Sequence, residues 1–138
     1  MSSLLQTTVV RGRFFYIQSL VTQAADIAEQ VRYIEDGVLI SEAGKIQWFG
    51  AWQDAAAHLP EGVEIQHYPE KLIVPGFIDT HIHFPQMEMV GAYGEQLLEW
   101  LNTYTFPTEM QFQNPEYAAK IAEFFVQELL KNGTTTAL

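Results

Sequence analysis

Apolar and polar positions divide the chain into a β-patterned first half and a helix-patterned second half. Thr7 to Ile17 (TTVVRGRFFYI) is β-branched and aromatic around Gly12, which predicts a strand with a bulge or tight bend at the glycine. Ser19 to Ala28 reads as a loop or a short helical turn. Val31 to Gly50 predicts three strands: Val31–Ile34, Val38–Ile40 and Ile46–Phe49. The dipeptide Asp36-Gly37 reads as the first tight turn, and Glu42-Ala43-Gly44-Lys45 as the second. Trp52 to His58 favours a short helix stopped near Pro60, and Val63 to Tyr68 alternates like a further strand. Lys71 to Val74 leads into a short apolar strand, Gly76–Ile78.

Beyond His83 the period lengthens. Glu95 to Tyr104 has apolar residues at helical spacing, with Phe106-Pro107 as its expected end. Asn114-Pro115 is an N-cap followed by proline at the first helical position, which predicts a helix from Glu116 to about Lys131. Lys131-Asn132-Gly133 is its stop, so the sequon Asn132-Gly133-Thr134 reads as a helix end. Thr134 to Leu138 is β-like again. Strand, helix and strand make a βαβ unit, which belongs to a parallel sheet covered on both faces. The expectation is an N-terminal piece of a larger protein, since a (β/α)₈ barrel takes about 250 residues.

Composition narrows the function classes. The 138 residues are 48% apolar and carry a formal charge of -10, from 7 Lys+Arg against 17 Asp+Glu. That balance argues against a phosphate-binding surface, and so against nucleic acid as a partner. With no cysteine, any metal must be held by His, Asp or Glu. Residues 1–6 lack the basic flank and apolar run of a signal peptide, and no apolar run approaches membrane-spanning length.

Candidate chemistry concentrates in Leu72 to Gln86, LIVPGFIDTHIHFPQ. His81 and His83 stand at i and i+2 of an extended chain, so their rings share a side and suit neighbouring positions on one metal if the strand end bends slightly. Two ordinary polar loop residues are the plain alternative. Asp79 faces the same way, as a ligand, as a residue orienting a ligand from behind, or as a loop anchor. Pro75 fixes the entry to the strand and Gly76 permits close backbone approach. Gln86 is either a surface residue or an amide that reads a purine or pyrimidine edge. Glu88, Glu95 and Glu99 are acid/base candidates by type, and solvated or helix-supporting residues by spacing. His58 and His67 read as structural or solvated. Trp48, Phe49, Trp52, Phe14-Phe15-Tyr16 and Phe124-Phe125 read as core.

Val74-Pro75-Gly76-Phe77-Ile78-Asp79-Thr80-His81-Ile82-His83 resembles the PGFxDxHxH signature of the amidohydrolase superfamily. HIHFPQ, LLEWL, TYTFPTE and KNGTTTA are similar to its guanine-deaminating branch. The resemblance implies an α/β fold that is an incomplete amidohydrolase fold. Residues 1–73 would be part of an N-terminal β-sandwich. Residues 74–138 would be the first βα unit and the start of the second strand of a (β/α)₈ TIM barrel. It implies zinc as cofactor, held by His81 and His83 with further His and Asp ligands beyond residue 138. The ion makes hydroxide available near neutral pH for attack on guanine, and a Glu beyond residue 138 shuttles protons. It also implies guanine as substrate, contacted by Gln86, with His83, Phe84 and Pro85 lining the pocket. A cytoplasmic homodimer is expected of the full-length protein, and the 138-residue chain alone is expected to be inactive and poorly soluble. The alternatives are another amidohydrolase, acting on cytosine, a hydantoin or a chlorotriazine, and a non-catalytic fragment.

Overall fold

The computed structural model describes residues 7–138; the reading of residues 1–6 as free of a targeting signal lies outside them. The chain divides between Pro75 and Gly76 into two compact units.

The first unit is a four-stranded sheet ordered β3-β2-β1-β4. Its strands are β1 (Thr7–Ile17), β2 (Val31–Glu42), β3 (Lys45–Ala51) and β4 (Ile65–Ile73). The β-branched run of β1 forms the central strand, antiparallel to β2 and parallel to β4. Ala43 (φ 50) and Gly44 (φ 76) make the tight β2–β3 hairpin.

The irregularity expected at Gly12 is present, but the extra residues sit in the neighbouring strands. Between the pairs Gly12↔Gly37 and Phe14↔Ile34, β2 has one more residue than β1. Between Gly12↔Tyr68 and Arg13↔Leu72, β4 accommodates Pro69 outside the ladder. This corrects the turn expected at Asp36-Gly37, because β2 runs unbroken through it. The dipeptide serves a bulge instead. Asp36 turns its carboxylate to Arg11, which donates from Nε and Nη2 at 2.7 Å each, and the Arg11 guanidinium holds that carboxyl below its ordinary range. Gly37 leaves room for Phe14: a Cβ there would meet the ring at 2.7 Å.

On one face of the sheet, Val9, Val38 and Ile40 are buried with Ala55, packed by Trp48, Trp52, Leu59, Val63 and Ile65. The segment after β3 covers this face as a 3₁₀ turn, Trp52–Asp54, followed by further turns rather than the short helix expected over Trp52 to His58. His58 stacks on Trp48 with ring centroids 4.8 Å apart. On the other face the rings of Phe14 and Tyr16 lie edge-on to Phe49. Phe15 does not join the buried core expected of it and is 38% exposed. The uncommitted stretch before β2 makes two short turns, Ala24–Asp26 and α1 (Ile27–Gln30).

The second unit is built on two parallel strands, β5 (Phe77–Asp79) and β6 (Thr134–Ala137). Gly76 allows them to approach, since a Cβ there would fall 2.0 Å from Thr135 Oγ1. The connection contains α2 (Leu97–Trp100), α3 (Phe106–Met110) and α4 (Pro115–Lys131). Pro107 does not end the first helical stretch. The helix widens to a π turn over Leu101–Thr105, where Phe106 N–H reaches Leu101 O, and continues to Met110. A wider turn relieves the clash of a proline ring with the preceding turn. Asn114 caps α4 as expected, accepting from Glu116 N at 2.9 Å, and Gly133 (φ 82) stops it. Ile121 buries the inner face of α4, whereas Phe124, expected in the core, is 49% exposed. No helix among the described residues is long and apolar enough to cross a membrane.

Replacing Gly37 by valine is expected to lower the stability of the sheet by more than about 2 kcal/mol, the cost of overpacking against a buried ring. Denaturation followed by Trp48 and Trp52 fluorescence measures it. A loss within about 0.5 kcal/mol would return Gly37 to an exposed turn.

Candidate functional site

The three residues of β5 deliver the chain to a bend at Thr80-His81. Asp79 sets that bend: its Oδ1 accepts from His81 N at 3.1 Å, and its backbone oxygen accepts from Leu138 N at 3.0 Å. Of the three roles open to Asp79, the loop anchor is the one its contacts describe. Past the bend, the rings of His81 and His83 turn toward each other, and their Nε2 atoms lie 2.9 Å apart. Two nitrogens bound tetrahedrally to zinc at about 2.0–2.1 Å stand roughly 3.3 Å apart. The pair is therefore within a few tenths of an ångström of sharing one ion. The fit covers two coordination positions. Among the described residues, no group of three or more His, Asp or Glu converges on a metal position.

After His83 the chain coils into a 3₁₀ helix, Phe84–Met89, with Pro85 in its first turn. This helix faces Gln86 and Glu88 toward different anchors. Gln86 Nε2 donates to Glu109 Oε1 at 3.0 Å. Glu88 Oε2 accepts from Tyr117 O–H at 2.5 Å, which ties the turn to the start of α4. That bond raises the Tyr117 phenol above its ordinary pKa. The Phe84 ring packs against Phe112 and Phe125, at 5.2 and 6.0 Å between centroids.

These elements border an open pocket of about 370 Å³ whose lining includes His81, His83, Gln86, Met89, Trp100 and Phe125. The structure thus brings together both histidines and the glutamine singled out in the sequence. Phe84 and Pro85 are not among the lining residues; the Phe84 side chain belongs to the aromatic cluster behind them. Glu95 and Glu99 border a separate cleft with Tyr93 and Tyr104, and Glu88 is engaged by Tyr117. His67 lies in β4, paired in register with Arg11 of β1. Sequence reasoning missed Glu109, hidden by the assumption that Pro107 ended the helix. It also missed Trp100, whose Nε1 donates to Ala92 O at 2.9 Å and holds the Gly91 loop against the pocket.

The pocket chemically resembles a hydrolase half-site: two imidazoles poised for one metal beside a primary amide. Comparison with known proteins agrees with that class. Residues 72–138 match the amidohydrolase family. Within that class the chain is similar to guanine deaminases. It is 53% identical over 129 residues to the guanine deaminase of Escherichia coli (strain K12), covering 94% of this chain and 29% of that protein. The structure of E. coli guanine deaminase aligns with a TM-score of 0.88 and 52% identity, over 95% of this chain and 30% of that one. The structure of guanine deaminase from C. acetobutylicum with bound guanine in the active site aligns with a TM-score of 0.72 and 28% identity, over 96% of this chain and 29% of that one. The chain therefore spans less than a third of the length of these relatives.

A spectrophotometric titration of the tyrosines is expected to show the Tyr117 phenol ionising later than the exposed tyrosines, and Glu88→Gln is expected to move it back toward the ordinary value. The folded-state pKa is raised, so the contribution of this bond is present below the ordinary phenol pKa and is lost as pH rises through the folded value. An unchanged Tyr117 titration in the Glu88→Gln variant would remove Glu88 as the cause.

Proposed function

We propose that a protein carrying this chain as its N-terminal portion is a zinc-dependent guanine deaminase, hydrolysing guanine to xanthine and ammonia. The observation that carries this reading is the 2.9 Å approach of His81 Nε2 to His83 Nε2 beside Gln86, in one pocket. The similarity to guanine deaminases supports the substrate. In this reading His81 and His83 hold the zinc, each through Nε2, and further ligands and a proton-shuttling carboxylate come from residues outside this chain. When bound, the ion supplies a water of lowered pKa, so that hydroxide is available near neutral pH. Asp79 fixes the bend that aims the two rings. Gln86 contacts guanine through its amide beside His83, while Phe84 and Pro85, expected to line the pocket, lie outside its wall. Trp100 and Phe125 offer flat apolar surface to a planar base.

The same proposal covers the architecture. Residues 1–73 are read as part of a β-sandwich. Support comes from a sheet that is apolar on both faces: one is covered by the segment after β3, and the other carries a groove of about 250 Å³ lined by Phe14, Tyr16, Leu39 and Phe49 among others. Residues 74–138 are read as the first βα unit and the opening of the second strand of a (β/α)₈ barrel. The support is the parallel β5–β6 pair and the position of both histidines past the C-terminal end of β5. The full-length protein is proposed to be a cytoplasmic homodimer, by resemblance to its superfamily.

In the full-length protein, His81→Ala and His83→Ala are each expected to reduce bound zinc from about one ion per chain toward zero. Each is expected to slow conversion of guanine to xanthine by more than about a hundredfold, the loss that supporting residues alone already cause at such sites. The separate 138-residue chain is expected to show no turnover. Undiminished zinc content in the doubly substituted protein, measured by elemental analysis, would overturn the assignment of the histidines.

A further inference from the structure

Gln86 is held from outside its own turn. Its Nε2 lies 3.0 Å from Glu109 Oε1, across a separation of 23 positions in the chain, and the contact is partly buried. An ionised carboxylate only accepts hydrogen bonds, so this contact assigns the amide: the nitrogen faces Glu109, leaving Oε1 and one N–H for other partners. Gln86 also lines the pocket that contains His81 and His83. A free primary amide exchanges donor and acceptor by a half-turn with almost no change of shape. A site that distinguishes the donor edge of a flat heterocycle from its acceptor edge therefore gains from a residue that blocks the half-turn.

Glu109 reaches Gln86 because α3 continues through Pro107. The π turn over Leu101–Thr105 lets the helix keep the proline and carry Glu109 to the back of the 3₁₀ turn. We propose that Glu109 is a positioning residue that sets specificity: it holds the Gln86 amide so that Oε1 is presented to the ligand as an acceptor for a ring N–H or an exocyclic amine. This inference rests on the reading that Gln86 contacts guanine.

The test is steady-state kinetics on the full-length protein with guanine as substrate, for Gln86→Ala, Glu109→Ala, Glu109→Gln and the double variant Gln86→Ala/Glu109→Ala. Each alanine substitution alone is expected to raise KM about tenfold, the scale of one hydrogen bond in a pocket, with kcat within about threefold. Glu109→Gln keeps an acceptor oxygen in reach of the amide and is expected to stay within about threefold of the parent KM. In the Gln86→Ala background, Glu109→Ala is expected to change KM less than about twofold, because a residue acting through Gln86 has nothing left to orient. If Glu109→Ala fails to fold, Glu109→Asp, which withdraws the carboxylate by one methylene, takes its place with the same expected rise. The proposal is overturned if the effects of Gln86 and Glu109 multiply in the double variant, or if Glu109 substitutions leave KM unchanged while Gln86→Ala raises it. An unchanged KM in Gln86→Ala itself instead overturns the guanine contact, and the proposal with it, so the two failures are told apart.

Discussion

A strand of three residues holds its place because a parallel partner lies beside it, and in the second unit that partner arrives only after the whole helical connection. Phe77 N–H bonds to Gly133 O at 2.8 Å, at the turn where α4 gives way to β6, and Leu138 N–H closes onto Asp79 O at 3.0 Å. Between these two bonds β5 and β6 pair in parallel, with one register shift between Phe77 and Ile78 that leaves Thr135 out of the ladder. Gly76 and Gly133 make the approach possible, one by lacking a side chain where Thr135 sits and the other by taking a positive φ. The position of Asp79, and through it the bend that turns His81 toward His83, rests on this pairing. Substituting either glycine would act on the histidines from a distance.

The elements that local chemistry dictates were legible in the sequence. The β-branched run over Thr7–Ile17 forms β1 with those bounds, and the Asn114-Pro115 pair opens α4 where a cap and an N-terminal proline are both satisfied. Alternation on an extended chain accounts for His81 and His83 sharing a side, but the bend that Asp79 fixes is what brings their Nε2 atoms to 2.9 Å. What was not legible depends on neighbours distant in sequence. Asp36-Gly37 carries the chemistry of a hairpin turn, yet β1 and Phe14 draw it into a bulge. Pro107 carries the chemistry of a helix stop, yet a wider turn absorbs it. Glu109 could not be placed beside Gln86 without knowing that the helix continues. Phe15 and Phe124 are apolar but 38% and 49% exposed, so residue type alone did not place them.

Apolar surface is exposed in the second unit. In β5, Phe77 is 63% exposed and Ile78 69% exposed, although strands of a parallel sheet are ordinarily covered on both faces. In the proposed site, two imidazoles supply part of what a catalytic zinc takes, which is three protein ligands as a rule. Within this portion the division of labour is clear. Asp79 and Glu109 touch neither metal nor base in the proposed site; they aim the groups that do. The bond from Tyr117 to Glu88 keeps the 3₁₀ turn carrying Gln86 against α4.

In the proposed site His81 and His83 hold one ion, through Nε2 atoms that lie 2.9 Å apart, beside a guanine contacted by Gln86. A crystal structure of the full-length protein with zinc and guanine, with the ion located by anomalous scattering, would place both groups. One ion is expected about 2.0–2.1 Å from both Nε2 atoms, with the backbone from Asp79 to Gln86 unmoved and the Gln86 amide within about 3.2 Å of the base. An ion bound without either histidine, or a guanine seated away from Gln86, would contradict the proposed site.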